Sequence, residues 1–159
     1  MPYYAIGGLQ STTSTALKGT AVEWTVTATL KRIKWYEVII GATGNPNASD
    51  TYLQVDISRL IATTSIAGTT GTQSALDQAD GASVMSSLVN ITTEPGAAAN
   101  TVGVSLMNFG LNQRNTTRWI AAQESQYLVA PATNLNGLYM REQSNIYTSS
   151  VATQIYAME

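Results

Sequence analysis

KRIKWYEVIIG, residues 31–41, and DTYLQVDISRLIA, residues 50–62, decide the fold class of this chain. In the second run Leu53, Val55 and Ile57 alternate with Gln54, Asp56 and Ser58, the two-residue period of a strand with one core face and one wet face. In the first run the apolar parity changes, with Ile33 and Trp35 odd but Tyr36, Val38 and Ile40 even. A flat strand cannot place both sets on one face. The reading is a turn or bulge near Lys31 followed by a strand buried on both faces. GATGNPNA, residues 41–48, is dense in turn formers, so the two runs read as partner strands joined by a loop.

Working outward, residues 21–30 alternate strictly. Val22, Trp24, Val26, Ala28 and Leu30 point one way, and Glu23, Thr25, Thr27 and Thr29 the other. Residues 1–20 carry one charge, Lys18, and a run of small hydroxyl residues from Ser11 to Thr15, which reads as an arm or an edge strand. Thr63–Gly81 is a long Thr/Gly/Ser/Asp segment without sustained periodicity. Val84, Met85 and Leu88 suggest a helical turn. Val102, Val104 and Leu106 alternate as a strand, and Trp119 and Ala121 mark a short one. Tyr127–Val129 and Leu138–Arg141 read as a strand pair about an Asn136-Gly137 turn. Tyr147–Ala157 closes the chain as a strand with Val151, Ile155 and Ala157 on one face. Roughly seven to nine short strands with turn clusters between them predict an all-β protein, a jelly-roll-like antiparallel β-sandwich with long irregular loops. The domain reading is an N-terminal arm or edge strand over 1–20 and a single β-sandwich over 21–159.

At 159 residues the chain suits one core. It contains neither cysteine nor histidine, which removes disulfides, thiolate chemistry, the commonest general base and the commonest zinc ligand. Only 11% of residues are charged, and threonine is the most frequent residue, so the surface is polar but nearly uncharged. A net charge of -2 offers no long-range attraction to nucleic acid or anionic membrane, and neither is an expected partner. The N-terminus, MPYYAIGG, lacks the basic region and apolar run of a signal peptide, so synthesis in a host cytoplasm is expected.

Chemical motifs are weak throughout. Glu37, Glu94, Glu124 and Glu142 offer carboxylate pairs for glycoside hydrolysis only in the sense that any chain with ten acids does. Asp77 and Asp80 in LDQAD lack the flanking pattern of a calcium loop and read as turn or cap residues. Lys31, Arg32 and Lys34 form a basic cluster that reads as a solvated strand entrance. Gly68–Gly71, GTTG, has no lysine after it and is not a phosphate loop. Trp24, Trp35 and Trp119 read as core anchors, because each falls in a strand-like alternation that needs a large buried side chain. The Asn-x-Ser/Thr triplets at Asn47, Asn90 and Asn115 are what a threonine-rich chain produces by chance. No catalytic residue, metal ligand or cofactor site is expected, and the chain reads as a non-enzyme.

Four stretches resemble a family of head-decoration, or cement, proteins of tailed bacteriophages. KRIKWYEV from Lys31 is similar to the family's basic strand entrance and apolar strand ending in Glu-Val. SDTYLQVDISR, Ser49–Arg59, is similar to its Leu-x-Val-x-Ile-x-Arg strand. SALDQADGAS resembles its Pro-Leu-x-x-x-Asp-x-Ala-Ala segment without the proline. FGLNQRNTTRW resembles its Asn-x-Arg-x-Gly-x-x-Trp run, with Asn115 or Thr116 where glycine is common. The resemblance implies a jelly-roll-like sandwich that forms a homo-oligomer, commonly a trimer, on the capsid exterior. There it would cement the shell by binding across major capsid protein subunits. On this reading residues 1–20 supply the capsid or intersubunit contact, with Pro2, Tyr3, Tyr4, Ile6 and Leu9 as its candidates. The alternative is a carbohydrate- or receptor-binding module of a virion, which predicts an exposed aromatic platform.

Overall fold

The computed structural model describes residues 1–11, 18–24, 31–45, 48–62, 66–93, 100–144 and 150–159. Its strands are β1 (Tyr3–Ser11), β2 (Lys18–Trp24), β3 (Lys34–Thr43), β4 (Tyr52–Ala62), β5 (Ala67–Thr70), β6 (Ser74–Ala75), β7 (Ser86–Thr93), β8 (Asn100–Asn112), β9 (Thr116–Ile120), β10 (Leu128–Val129), β11 (Asn136–Ser144) and β12 (Ser150–Met158). Two antiparallel sheets pack face to face. Sheet I runs β10-β3-β12-β1-β6, with β9 also on β3, and sheet II runs β5-β7-β2-β11-β4-β8. The eight strands β1-β12-β3-β9 and β2-β11-β4-β8 interleave the two ends of the chain as a jelly roll does, with β5, β6 and β7 inserted between β4 and β8.

The two runs that announced the fold are not partners. β3 lies in sheet I and β4 in sheet II, and they meet across the core, where Trp35, Val38 and Ile40 join Leu53, Val55 and Ile57 in one cluster. Between them the chain reverses at Gly44, whose φ of 99° suits a residue without a Cβ. The parity change is a bulge at Tyr36, inside β3, rather than a turn or bulge near Lys31. Tyr156 and Ala157 of β12 stand opposite Glu37 and Trp35, so Tyr36 is the extra residue. Odd residues before it and even residues after it therefore face the same core, and β3 is not a strand with two apolar faces.

Other expectations are revised in the same way. β2 is buried on both faces, so Glu23 does not sit on a wet one, and residues 25–30 of the expected alternation lie outside the described residues. Residues 147–149 of the final strand, and 63–65 of the long segment, lie outside them too; the rest of that segment includes β5 and β6. Leu88 belongs to β7, opposite Val22 of β2, and not to a helical turn. The one helical element among the described residues is a 3₁₀ turn, Glu124–Gln126. β10 and β11 do not form a hairpin, because β10 pairs with β3 in sheet I while β11 pairs with β2 and β4 in sheet II. Asn136 starts β11, and the reversal lies before it, where Leu135 takes φ 64° and the Asn136 N–H donates to the Thr133 carbonyl at 3.0 Å.

The outer face of β4 is not wet either. Asp56 and Ser58 are buried, beside a second apolar cluster of Val22, Leu60, Ile91 and Tyr139 on the far side of sheet II. Burial alone would raise the Asp56 pKa. Hydrogen bonds from Ser105, Ser58 and Arg141, with the Arg141 charge at 2.6 Å, hold it below its ordinary value instead.

Candidate functional site

Residues paired across an antiparallel sheet point to the same face, so the register of sheet I places side chains far apart in sequence on one surface. Across β1, β12, β3 and β9 one outward row is Ala5, Tyr156, Glu37 and Ile120; the next is Gly7, Gln154, Ile39 and Arg118. The bulge turns Tyr36 outward beside the first row. Its ring centroid lies 5.7 Å from Tyr3 in an edge-to-face contact, 6.1 Å from Tyr127 and 6.3 Å from Tyr156. Four tyrosines thus form one aromatic cluster on the outside of the sandwich.

The cluster is bordered by open apolar surface and by an ion pair. Tyr3 is 43% exposed, Ile120 49% and Leu9 50%. Arg118 Nε donates to Glu37 Oε1 at 2.6 Å, and the Arg118 side chain remains largely exposed. Burial, then the neighbouring Glu37 charge, pushes the Tyr36 hydroxyl above its ordinary pKa, so it stays a neutral donor across the physiological range. Farther along the face, Gly41 and Ala152 leave a shallow depression of about 280 Å³, rimmed by Thr43, Thr116 and Gln154. Aromatic rings with a polar handle, next to a guanidinium and a carboxylate, make a surface suited to adhesion.

The residues singled out from sequence are divided by the fold. Tyr3 and Leu9 lie on this face, and Pro2 is partly buried beside it in sequence. Tyr4 and Ile6 point inward and are buried, because β1 is hydrogen-bonded along its whole length to β12. Residues 1–20 therefore supply a core strand and the start of β2, and a boundary at residue 20 would cut β2. Trp35 is fully buried in the main core. Trp119 packs against the same core from β9, and Trp24 packs against the second cluster, both partly buried.

The remaining motifs have structural partners. The Asp77 carboxylate accepts from the Ala79 N–H at 2.9 Å, closing a turn. Lys31 pairs with Glu159 at 3.2 Å. Glu142 is fully buried, Glu124 sits in the 3₁₀ turn, and Glu94 lies outside the described residues. Among the described residues no three His, Cys, Asp or Glu side chains group as metal ligands.

Sequence reasoning missed Tyr36, Tyr127, Tyr156, Glu37, Arg118 and Ile120 as members of one site. They come from four separate segments, and only strand register brings them together. No protein-family model matches the chain, and no curated protein or solved structure shows significant similarity to it.

Proposed function

We propose that this chain is a non-enzymatic virion structural protein that decorates the exterior of a bacteriophage capsid, cementing it by binding across major capsid protein subunits as a homo-oligomer. The tyrosine cluster on the outer face of sheet I carries this reading. Tyrosine and arginine are residue types that dominate binding energy at protein interfaces, and here both stand on one outward sheet face. The sequence resemblance supplies the identity of that partner.

The test mixes the full chain with capsids stripped of accessory proteins and measures sedimentation with them. Deleting residues 1–20 is a poor probe, because β1 carries Tyr4 and Ile6 into the core. The double variant Tyr3→Ala/Ile120→Ala alters exposed side chains instead. It is expected to keep the fold and lose co-sedimentation. Full retention of the double variant, or no binding by the parent chain, would sink the proposal.

One observation favours a second reading, saccharide recognition by the same face. Arg118, Glu37 and Gln154 put planar hydrogen-bonding groups beside the rings, and a sugar presents a C–H face for stacking together with hydroxyls for such groups. Retention on immobilised glycans, without binding to stripped capsids, would select this reading.

A further inference from the structure

The fold divides the basic cluster at the entrance to β3. Lys31 is neutralised by Glu159, whose carboxylate also accepts from the Ser83 hydroxyl and the Val84 N–H. Arg32 and Lys34 have no carboxylate within ion-pair distance among the described residues, and neither has Arg59 of β4. Arg32 and Arg59, both exposed, line one shallow depression of about 320 Å³, with Val129 and Pro131 as its other walls. Lys34 stands opposite Val129 in the β3–β10 ladder, so the two side chains leave the sheet on the same face.

All eight cations of the chain lie among the described residues. Lys31, Arg114, Arg118 and Arg141 have carboxylate partners. Arg32, Lys34 and Arg59 gather here without one. Two guanidiniums in one depression repel each other unless an anion stands between them. No acid lines the depression among the described residues. The segments next to it in sequence, residues 25–30 (TVTATL) and 63–65 (TTS), carry no charge, and Glu94 is the one acid outside the described residues.

Arg59 is oriented for a ligand. Its Nε donates to the Val129 carbonyl at 3.3 Å, and its terminal nitrogens make no hydrogen bond among the described residues. A guanidinium anchored at Nε presents those nitrogens as a planar fork, which a carboxylate matches. The walls select among carboxylates. Val129 and Pro131 offer no side-chain hydrogen bond, so the hydroxyls of an acidic sugar would lose water without gaining partners, whereas the alkyl stem of Asp or Glu loses nothing there. The depression also continues the tyrosine face. Lys34 and Val129 lie two residues from Tyr36 and Tyr127, whose ring centroids are 6.1 Å apart.

We propose that Arg32 and Arg59 form a carboxylate pocket for an acidic side chain of the protein that docks on the tyrosine face, with Lys34 adding positive potential. The proposal rests on the capsid reading only for the identity of that protein.

The test is retention of the full chain on immobilised poly-L-glutamate at pH 7 and about 10 mM salt, where screening is weak, with immobilised polygalacturonate alongside. Both matrices repel a chain of net charge -2 on average, so retention reports a local site. The parent chain is expected to be held by polyglutamate and to leave polygalacturonate at lower salt. Arg32→Gln/Arg59→Gln should abolish retention, with circular dichroism as the folding control. Arg32→Gln alone, at an exposed residue outside the strands, serves if the double variant fails to fold. Arg114→Gln removes the same charge from an exposed ion pair elsewhere and should leave retention unchanged. On stripped capsids the double variant should bind about tenfold more weakly at low salt. No retention of the parent, equal retention on the two matrices, or retention that survives the double variant would overturn the proposal. So would a gain from Glu94→Gln that Asp50→Asn does not reproduce, because Glu94 would then fill the pocket. A parent chain held by polyglutamate through these arginines but absent from capsid pellets would support the pocket and overturn the capsid reading.

Discussion

The indole Nε1 of Trp35 on β3 donates a hydrogen bond to the carboxylate of Glu23 on β2, tying sheet I to sheet II through the interior. Gln73 Nε2 donates to the other oxygen of the same carboxylate at 2.9 Å. Burial raises the Glu23 pKa from 4.5 to about 8; the Trp35 hydrogen bond opposes the rise and the nearby Glu159 charge adds to it. Glu23 is therefore a neutral acid over most of the physiological range, a state that its neighbours in sequence do not foreshadow.

This burial predicts a pH-dependent stability. A carboxyl whose folded pKa lies above its unfolded value binds more protons when folded, so stability is greatest below the unfolded value and declines as pH rises to the folded one. Here the decline should run from about pH 4.5 to about pH 8. Glu23→Gln removes the titrating group and should flatten the melting temperature over that window, with the variant overtaking the parent chain at its alkaline end. The difference is expected to be a few kcal/mol, on the order of 1.4 kcal/mol per pKa unit. Parallel melting curves for the two proteins between pH 5 and 9 would contradict the assignment.

Trp35→Phe should separate packing from hydrogen bonding. The smaller ring leaves a cavity, which costs stability at every pH by about 1–3 kcal/mol. It also deprives the Glu23 carboxylate of a donor, so the loss should grow toward alkaline pH. A pH-independent loss, measured by urea unfolding at pH 5 and pH 8.5, would mean that the indole N–H contributes nothing.

Gly19 is fixed by Tyr139. A Cβ at Gly19 would stand 2.1 Å from the Tyr139 hydroxyl and 2.7 Å from its ring, and that ring is fully buried. Gly19→Ala is expected to cost about 1–3 kcal/mol by overpacking. The urea midpoint measures this, and an unchanged midpoint would show that the tyrosine has room to move.

Arg118→Ala should distinguish recognition from stability. The arginine side chain is 58% exposed although its partner Glu37 is largely buried, and water screens such a pair strongly. The melting temperature should stay within the scatter of ordinary surface substitutions while retention on capsids or glycans falls. A large drop in melting temperature would assign the pair a structural role instead.

Alternation in residues 31–62, turn clusters and an uncharged threonine-rich composition determined that the chain is an antiparallel β-sandwich. Those signals are local: side chains alternate with a period of two whatever lies beside the strand. Trp35 was legible as a core anchor for the same reason. What only the tertiary structure decided is which strands meet. Sequence neighbours β3 and β4 went to opposite sheets, the bulge at Tyr36 reconciled two parities with one core, and Glu23 went inside although its alternation assigned it to water. The tyrosine face required the register of β1, β12 and β3 together with the contact to Tyr127. Pairing is long-range and specified by the whole core at once, so no window of sequence contains it.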